Sequence, residues 1–88
     1  MTSRFFIKTA YYKAQGVFTV RAYATDDLVS NGKRGLGFAI ASEENLADAS
    51  DRAIARIQDD FRRDGLAIPT VIYKTGRQAR AIVENYLF

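Results

Sequence analysis

Side chains that could carry out acid–base or nucleophilic chemistry are few in this sequence. The 88 residues include no cysteine and no histidine, so a thiolate nucleophile, an imidazole base and the usual zinc ligands are all lacking. Asp26 with Asp27 and Asp59 with Asp60 are neighbours in sequence, and adjacent residues do not face each other on a strand or a helix. Asp60 and Asp64 can share a helix face, but nearby arginines indicate a solvated charge network. We therefore expect no enzyme, no metal site and no cofactor.

Two cations, Lys33 and Arg34, lie between glycines in the stretch from Gly32 to Gly37. A phosphate-binding P-loop would end in lysine followed by serine or threonine and would lead into a helix. This stretch leads instead into an apolar run typical of a strand, so it does not predict a nucleotide site. We interpret residues 26–35 as a long exposed loop, which is either an ordinary surface loop or one whose cations contact a partner.

The length and charge pattern predict a single domain over residues 1–88, because a chain of this size is too short for two independent cores. Charges at Arg4, Lys8 and Lys13 interrupt the N-terminal segment before any apolar run reaches the length of a signal peptide or a membrane span. We expect a cytoplasmic protein that does not contact a membrane.

Two segments at the start of the chain, residues 4–13 and 17–24, are rich in the β-branched and aromatic residues that favour strands. If Gln15 and Gly16 alone form the turn, Ala14 faces Val17 and the numbers of every facing pair sum to 31, as 14 and 17 do. This register separates the hairpin into two faces, because side chains alternate along a strand.

One predicted face is largely apolar and is expected to form the core; it carries Phe5, Ile7, Thr9, Tyr11, Phe18, Val20, Ala22 and Ala24. The other, which we call the outer face, mixes cations with aromatic rings and carries Phe6, Lys8, Ala10, Tyr12, Thr19, Arg21, Tyr23 and Thr25. Cations interleaved with rings on an exposed sheet can neutralise phosphates and stack on bases. The same face could instead be covered by the terminal helix or by a partner subunit.

The middle of the chain predicts a third strand over residues 36–41 and then a long helix. Ser42 is a suitable N-cap for a helix over residues 43–64, and Gly65 can end it in the left-handed conformation. Apolar residues recur in this segment at steps of three and four and form one stripe that faces the sheet: Leu46, Ala49, Ala53, Ile54, Ile57 and Phe61.

The last part of the chain predicts a fourth strand over residues 66–74, with Pro69 near its beginning or on an edge. Thr75 and Gln78 have the spacing of a capping box, so a short terminal helix over residues 79–88 follows. A fifth strand over residues 81–88 is the alternative. The predicted fold is α+β: a mostly antiparallel sheet of about four strands, one long helix packed on one face and a short C-terminal helix.

Opposite charges are separated along the chain. Residues 43–64 contain seven acidic and four basic side chains, whereas the remainder contains three acidic and nine basic side chains. A sheet covered by this helix on one side is therefore expected to be positive on the other.

The order of these elements, with the hairpin around Gln15 and Gly16, the helix that begins after Ser42 and the strand over residues 66–74, resembles that of several small phage-encoded anti-CRISPR inhibitors. The resemblance covers most of the chain and concerns length and element order. It implies a protein that is not an enzyme, acts in the cytoplasm of the host, and binds a large nucleoprotein effector through a sheet face or loops.

We therefore predict a small inhibitor or adaptor that binds a protein or nucleoprotein complex through its cationic and aromatic side chains: Lys8, Tyr12, Arg21, Tyr23, Lys33 and Arg34. The alternative is a nucleic-acid-binding domain, because the element order also resembles that of domains that place a sheet in the major groove of DNA. A third hypothesis is a homodimer that buries Phe6, Tyr12 and Tyr23.

Overall fold

The computed structural model describes residues 5–25, 35–77 and Val83. In this part of the chain there are four strands and one helix, in the order β1 (Phe6–Ala14), β2 (Val17–Thr25), β3 (Gly35–Glu43), α1 (Leu46–Arg63) and β4 (Thr70–Arg77). The α+β fold is thus confirmed. The predicted loop at residues 26–35 lies outside the described residues except for Gly35, which begins β3, and so does the predicted terminal helix except for Val83.

The hairpin of β1 and β2 has the predicted register. Ala14 pairs with Val17, and the pairing continues without a shift to Phe6 and Thr25. The two loop residues have positive φ angles, 54° at Gln15 and 77° at Gly16, which is the combination that a type I′ turn requires. Because this turn matches the right-handed twist of the strands, two residues suffice to reverse the chain.

The sheet has the strand order β3-β2-β1-β4 and is mixed. β2 is antiparallel to both β1 and β3, whereas β4 is parallel to β1. Helix α1 carries the chain from β3 at one edge to β4 at the other, as a crossover between elements of this kind requires. Two of the three strand pairings are antiparallel, in agreement with the predicted sheet.

Strand β4 begins immediately after Pro69, which agrees with the predicted position of the proline near the start of the strand. The strand runs from Thr70 to Arg77, so the boundaries predicted for it were wrong by a few residues. Thr75 pairs with Thr9 in the sheet and therefore does not begin a helix as the capping-box spacing suggested. The backbone pairing with β1 holds this residue in the extended conformation.

Helix α1 begins later than predicted. Ser42 and Glu43 belong to β3, where they pair with Thr19 and Phe18, so the prediction of Ser42 as N-cap was wrong. The Ser42 hydroxyl lies 2.9 Å from that of Thr19. The N-cap is Asn45, whose side-chain oxygen accepts hydrogen bonds from the amides of the second and third helical residues, at 2.8 and 3.2 Å.

The end of α1 follows the prediction. Gly65 has a φ of 71° and donates its amide hydrogen to the carbonyl of Arg62 at 3.1 Å, while the amide of Leu66 donates to the carbonyl of Phe61 at 2.9 Å. These two bonds are the Schellman motif, which satisfies carbonyls that the helix leaves unpaired.

The core lies between α1 and the sheet. Ile7, Val20 and Ile57 are almost completely buried there, as the two sequence patterns predicted. The ring of Phe61 also packs against Phe5, with the ring centres 6.4 Å apart. α1 lies mainly over β2 and β3, and the outer face is the other side of the sheet.

Candidate partner-binding surfaces

The outer face of the sheet is closed at its centre. Arg21 and Tyr23, predicted to be exposed, keep only 2% and 6% of their surface accessible to solvent. The prediction of their exposure was wrong because Val83 packs on this face, in a cluster with Ala10 and Tyr23, and is itself completely buried. The sequence had left open the alternative that the terminal helix or a partner subunit covers this face, and Val83 belongs to the segment predicted as that helix.

Arg21 connects three separate parts of the chain. Its Nε donates a hydrogen bond to the backbone carbonyl of Val83, and its guanidinium carbon lies 4.2 Å from the centre of the Phe38 ring on β3. Burial lowers the pKa of the Arg21 guanidinium, because removal from water disfavours the charged form. A side chain bound in this way holds segments together and offers no surface to a partner.

Lys8 and Tyr12 lie on β1 at the side of the covered region, and both are partly buried. The ring of Tyr12 packs against the cluster formed by Ala10, Tyr23 and Val83. The register confirms that Lys8 faces Tyr23 across the two strands. The six predicted contact residues therefore do not form one exposed surface: two are buried, two are partly buried, and Lys33 and Arg34 lie outside the described residues.

Large apolar side chains are exposed elsewhere. Leu66 is 49% exposed and Ile68 is 41% exposed, and both belong to the connection between α1 and β4. Sequence reasoning assigned this segment to a strand and so missed it as a surface. The signal that could have found it is local: Gly65 ends the helix, and Pro69 cannot donate a backbone hydrogen bond in a sheet, so the residues between them are the connection.

Both ends of this connection are held in place. The amide of Leu66 takes part in the Schellman motif, and Pro69 is buried at the start of β4. Leu66 and Ile68 are therefore presented by a short backbone segment with little freedom. We call residues 66–68 the apolar connection.

The apolar connection lies at the same end of the sheet as the residues that flank segment 26–34. Phe6 pairs with Thr25 on one side and with Thr70 on the other, and Thr25 also pairs with Gly35. The chain thus enters β4 at the end where it leaves β2 and enters β3. The sequence between Thr25 and Gly35 contains the cations Lys33 and Arg34.

Other kinds of site receive no support in the described part of the chain. Within residues 5–25, 35–77 and 83, no three acidic side chains are grouped so that they could hold a metal ion. No helix in the same residues is long and apolar enough to cross a membrane. Comparison of the chain with protein families, with curated proteins and with solved structures finds no match.

Proposed function

We propose that this protein is a non-catalytic binding protein, a small inhibitor or adaptor whose partner is a protein or a nucleoprotein complex. The observation that supports the proposal best is the apolar connection, where Leu66 and Ile68 keep nearly half of their surface in water. Complete burial of such a side chain contributes about 1.5–3 kcal/mol, so covering the exposed part of both would contribute about 2 kcal/mol. An interface centred on them would gain this energy when the partner binds.

The structure of the connection favours binding for a second reason. Side chains presented by a fixed backbone lose little conformational entropy on association, and this loss is a main cost of forming an interface. The hydrogen bond from the amide of Leu66 to the carbonyl of Phe61 and the buried ring of Pro69 restrict the segment before any partner arrives. More of the burial energy is then available for affinity.

The charge of the sequence between β2 and β3 indicates the chemistry of the partner. Lys33 and Arg34 belong to this segment, whose flanking residues Thr25 and Gly35 lie at the same end of the sheet as the apolar connection. A protein with these cations and with exposed aliphatic groups suits a partner that offers both acidic and apolar groups, which is a property of proteins and nucleoprotein complexes. The anti-CRISPR-type target implied by the resemblance stays a prediction.

Direct reading of nucleic acid by the sheet is a weaker hypothesis. It required Arg21 and Tyr23 to meet phosphates and bases, and both are buried beneath Val83. A nucleic acid could reach them only if Val83 were displaced. The remaining cation of the outer face, Lys8, is partly buried as well.

The test is capture of partners from a lysate of the cell that produces the protein, followed by mass spectrometry. The variant carries Leu66→Ser and Ile68→Ser, and the matched control carries Ala47→Ser and Ala55→Ser, which change two exposed side chains on helix α1 instead. We expect one partner to be retained by the wild type and by the control, and to be reduced at least tenfold with the double variant.

Equal retention by all three proteins would refute the apolar connection as the interface. A parallel measurement uses labelled single-stranded and double-stranded DNA at low salt. Binding that weakens steeply as salt rises would indicate phosphate contacts and would favour the nucleic-acid hypothesis instead.

A further inference from the structure

Among the strands in the described residues, β3 lies at an edge of the sheet and pairs with β2 alone. Edge strands present backbone donors and acceptors to which another strand can add, and proteins commonly prevent this with charges, prolines or covering groups. The nine residues from Gly35 to Glu43 contain no proline, and their only charge is at the last position. The composition of this strand therefore gives it little protection.

The hairpin turn determines which residues of β3 face the open edge. In a two-residue turn of this type, Ala14 and Val17 form a hydrogen-bonded pair, so the odd-numbered residues of β2 bond to β1 and the even-numbered ones to β3. Ala22 is thus bonded to its partner Ala39, and the amide and carbonyl of the next residue, Ile40, point away from the sheet.

One side chain from the helix reaches this position. Arg56 of α1 donates a hydrogen bond from its guanidinium to the backbone carbonyl of Ile40. Arg56 is itself exposed. The exposed guanidinium of Arg56 therefore occupies a backbone carbonyl near the centre of β3. A strand added to this edge would need that carbonyl as an acceptor for its own backbone hydrogen bond.

We propose that Arg56 protects the β3 edge against strand addition, and that the strand it excludes is β3 of a second copy of this chain. With Ile40 on the twofold axis, the two copies would form a hydrogen-bonded Ile40–Ile40 pair. Ala39 would then face Ala41 of the copy, and Glu43 would face Gly37. The small side chains leave room for close approach, and no like charges oppose each other.

The test is the solution mass of the full chain, measured by sedimentation or light scattering over a range of concentrations. We expect the wild type to remain at 9.9 kDa and the Arg56→Ala variant to rise toward twice that mass. Arg56→Lys, which keeps a cationic donor, should remain close to the wild type. The matched control is Arg52→Ala, because Arg52 also reaches from α1 to β3, through a 3.0 Å ion pair with Glu43, without bonding an edge carbonyl.

A second substitution identifies the surface involved. Adding Ile40→Lys to Arg56→Ala places two cations opposite each other on the proposed axis and should return the mass to 9.9 kDa. Circular dichroism shows whether each variant is folded. The proposal is refuted if Arg56→Ala stays monomeric, if Arg52→Ala associates equally, if Ile40→Lys leaves the association unchanged, or if the wild type already has the doubled mass.

Discussion

Replacement of Arg21 by alanine tests whether this residue supports the fold or contacts a partner. The substitution removes the donor to the carbonyl of Val83 and leaves that buried acceptor without this bond, at a cost of about 1–3 kcal/mol. It also removes the guanidinium from the Phe38 ring, a contact worth about 1–2 kcal/mol because Arg21 is buried while Phe38 is half exposed. The cavity left by the side chain adds about 2 kcal/mol.

One energy change opposes these losses. Arg21 is 2% exposed, and burial of a charge costs several kcal/mol, which the alanine variant recovers. We expect a net destabilisation of about 2–4 kcal/mol, which for a domain of this size lowers the melting temperature by about 10–25 °C. A surface arginine that contacts a partner would instead change stability by less than about 0.5 kcal/mol when replaced.

The assay is thermal and urea unfolding followed by circular dichroism, with Arg63→Ala as the control. Arg63 is exposed and forms a 2.7 Å ion pair with Asp60, so its loss should change stability by less than about 0.5 kcal/mol. Arg21→Met, which retains most of the buried volume and no charge, should be less destabilising than Arg21→Ala. If the alanine variant unfolds at the same temperature and urea concentration as the wild type and the control, Arg21 does not support the fold.

Three further substitutions test local features by the same unfolding measurements. Asn45→Ala should destabilise the protein by about 1 kcal/mol through loss of the N-cap, whereas Ser42→Ala should have less than half that effect; equal effects would contradict the observed helix start. Gly16→Ala should cost about 1–2 kcal/mol because its φ is 77°, although nothing lies within 4 Å of the added carbon; a neutral result would argue against the type I′ turn. Ile57→Ala, at 1% exposure, should cost about 2–5 kcal/mol, and a loss below 1 kcal/mol would place Ile57 outside the core.

The hairpin and the helix stripe could be predicted because their causes are close together in sequence. Gly16 favours a positive φ, and a two-residue turn then sets every pairing from Ala14 and Val17 to Phe6 and Thr25. The end of the helix at Gly65 follows from equally local chemistry. The start of the helix could not be predicted in the same way, since Ser42 and Asn45 are both suitable caps and pairing with β2 decided between them.

The candidate site was predicted less well, because exposure depends on distant parts of the chain. The alternation of β1 and β2 placed Arg21 and Tyr23 on the outer face, and that placement is correct. Whether the outer face meets water depends on Val83, which is 62 residues from Arg21 in sequence and bonds to it. The exposed connection at Leu66 and Ile68 was missed for a related reason. Its apolar composition is typical of a strand, and only the observed start of β4 at Thr70 shows that these residues precede the strand.

The amino-acid sequence alone thus determined the α+β class, the register of the first hairpin and the residues that α1 turns toward the sheet. These features depend on side-chain alternation, helical period and turn chemistry, which act over a few residues. Only the tertiary structure decided that β4 lies parallel to β1, that Arg21 is buried, and that Arg56 reaches the carbonyl of Ile40 at the open edge. Each of these depends on segments brought together from distant positions, and the free energy of packing them is a property of the whole folded chain.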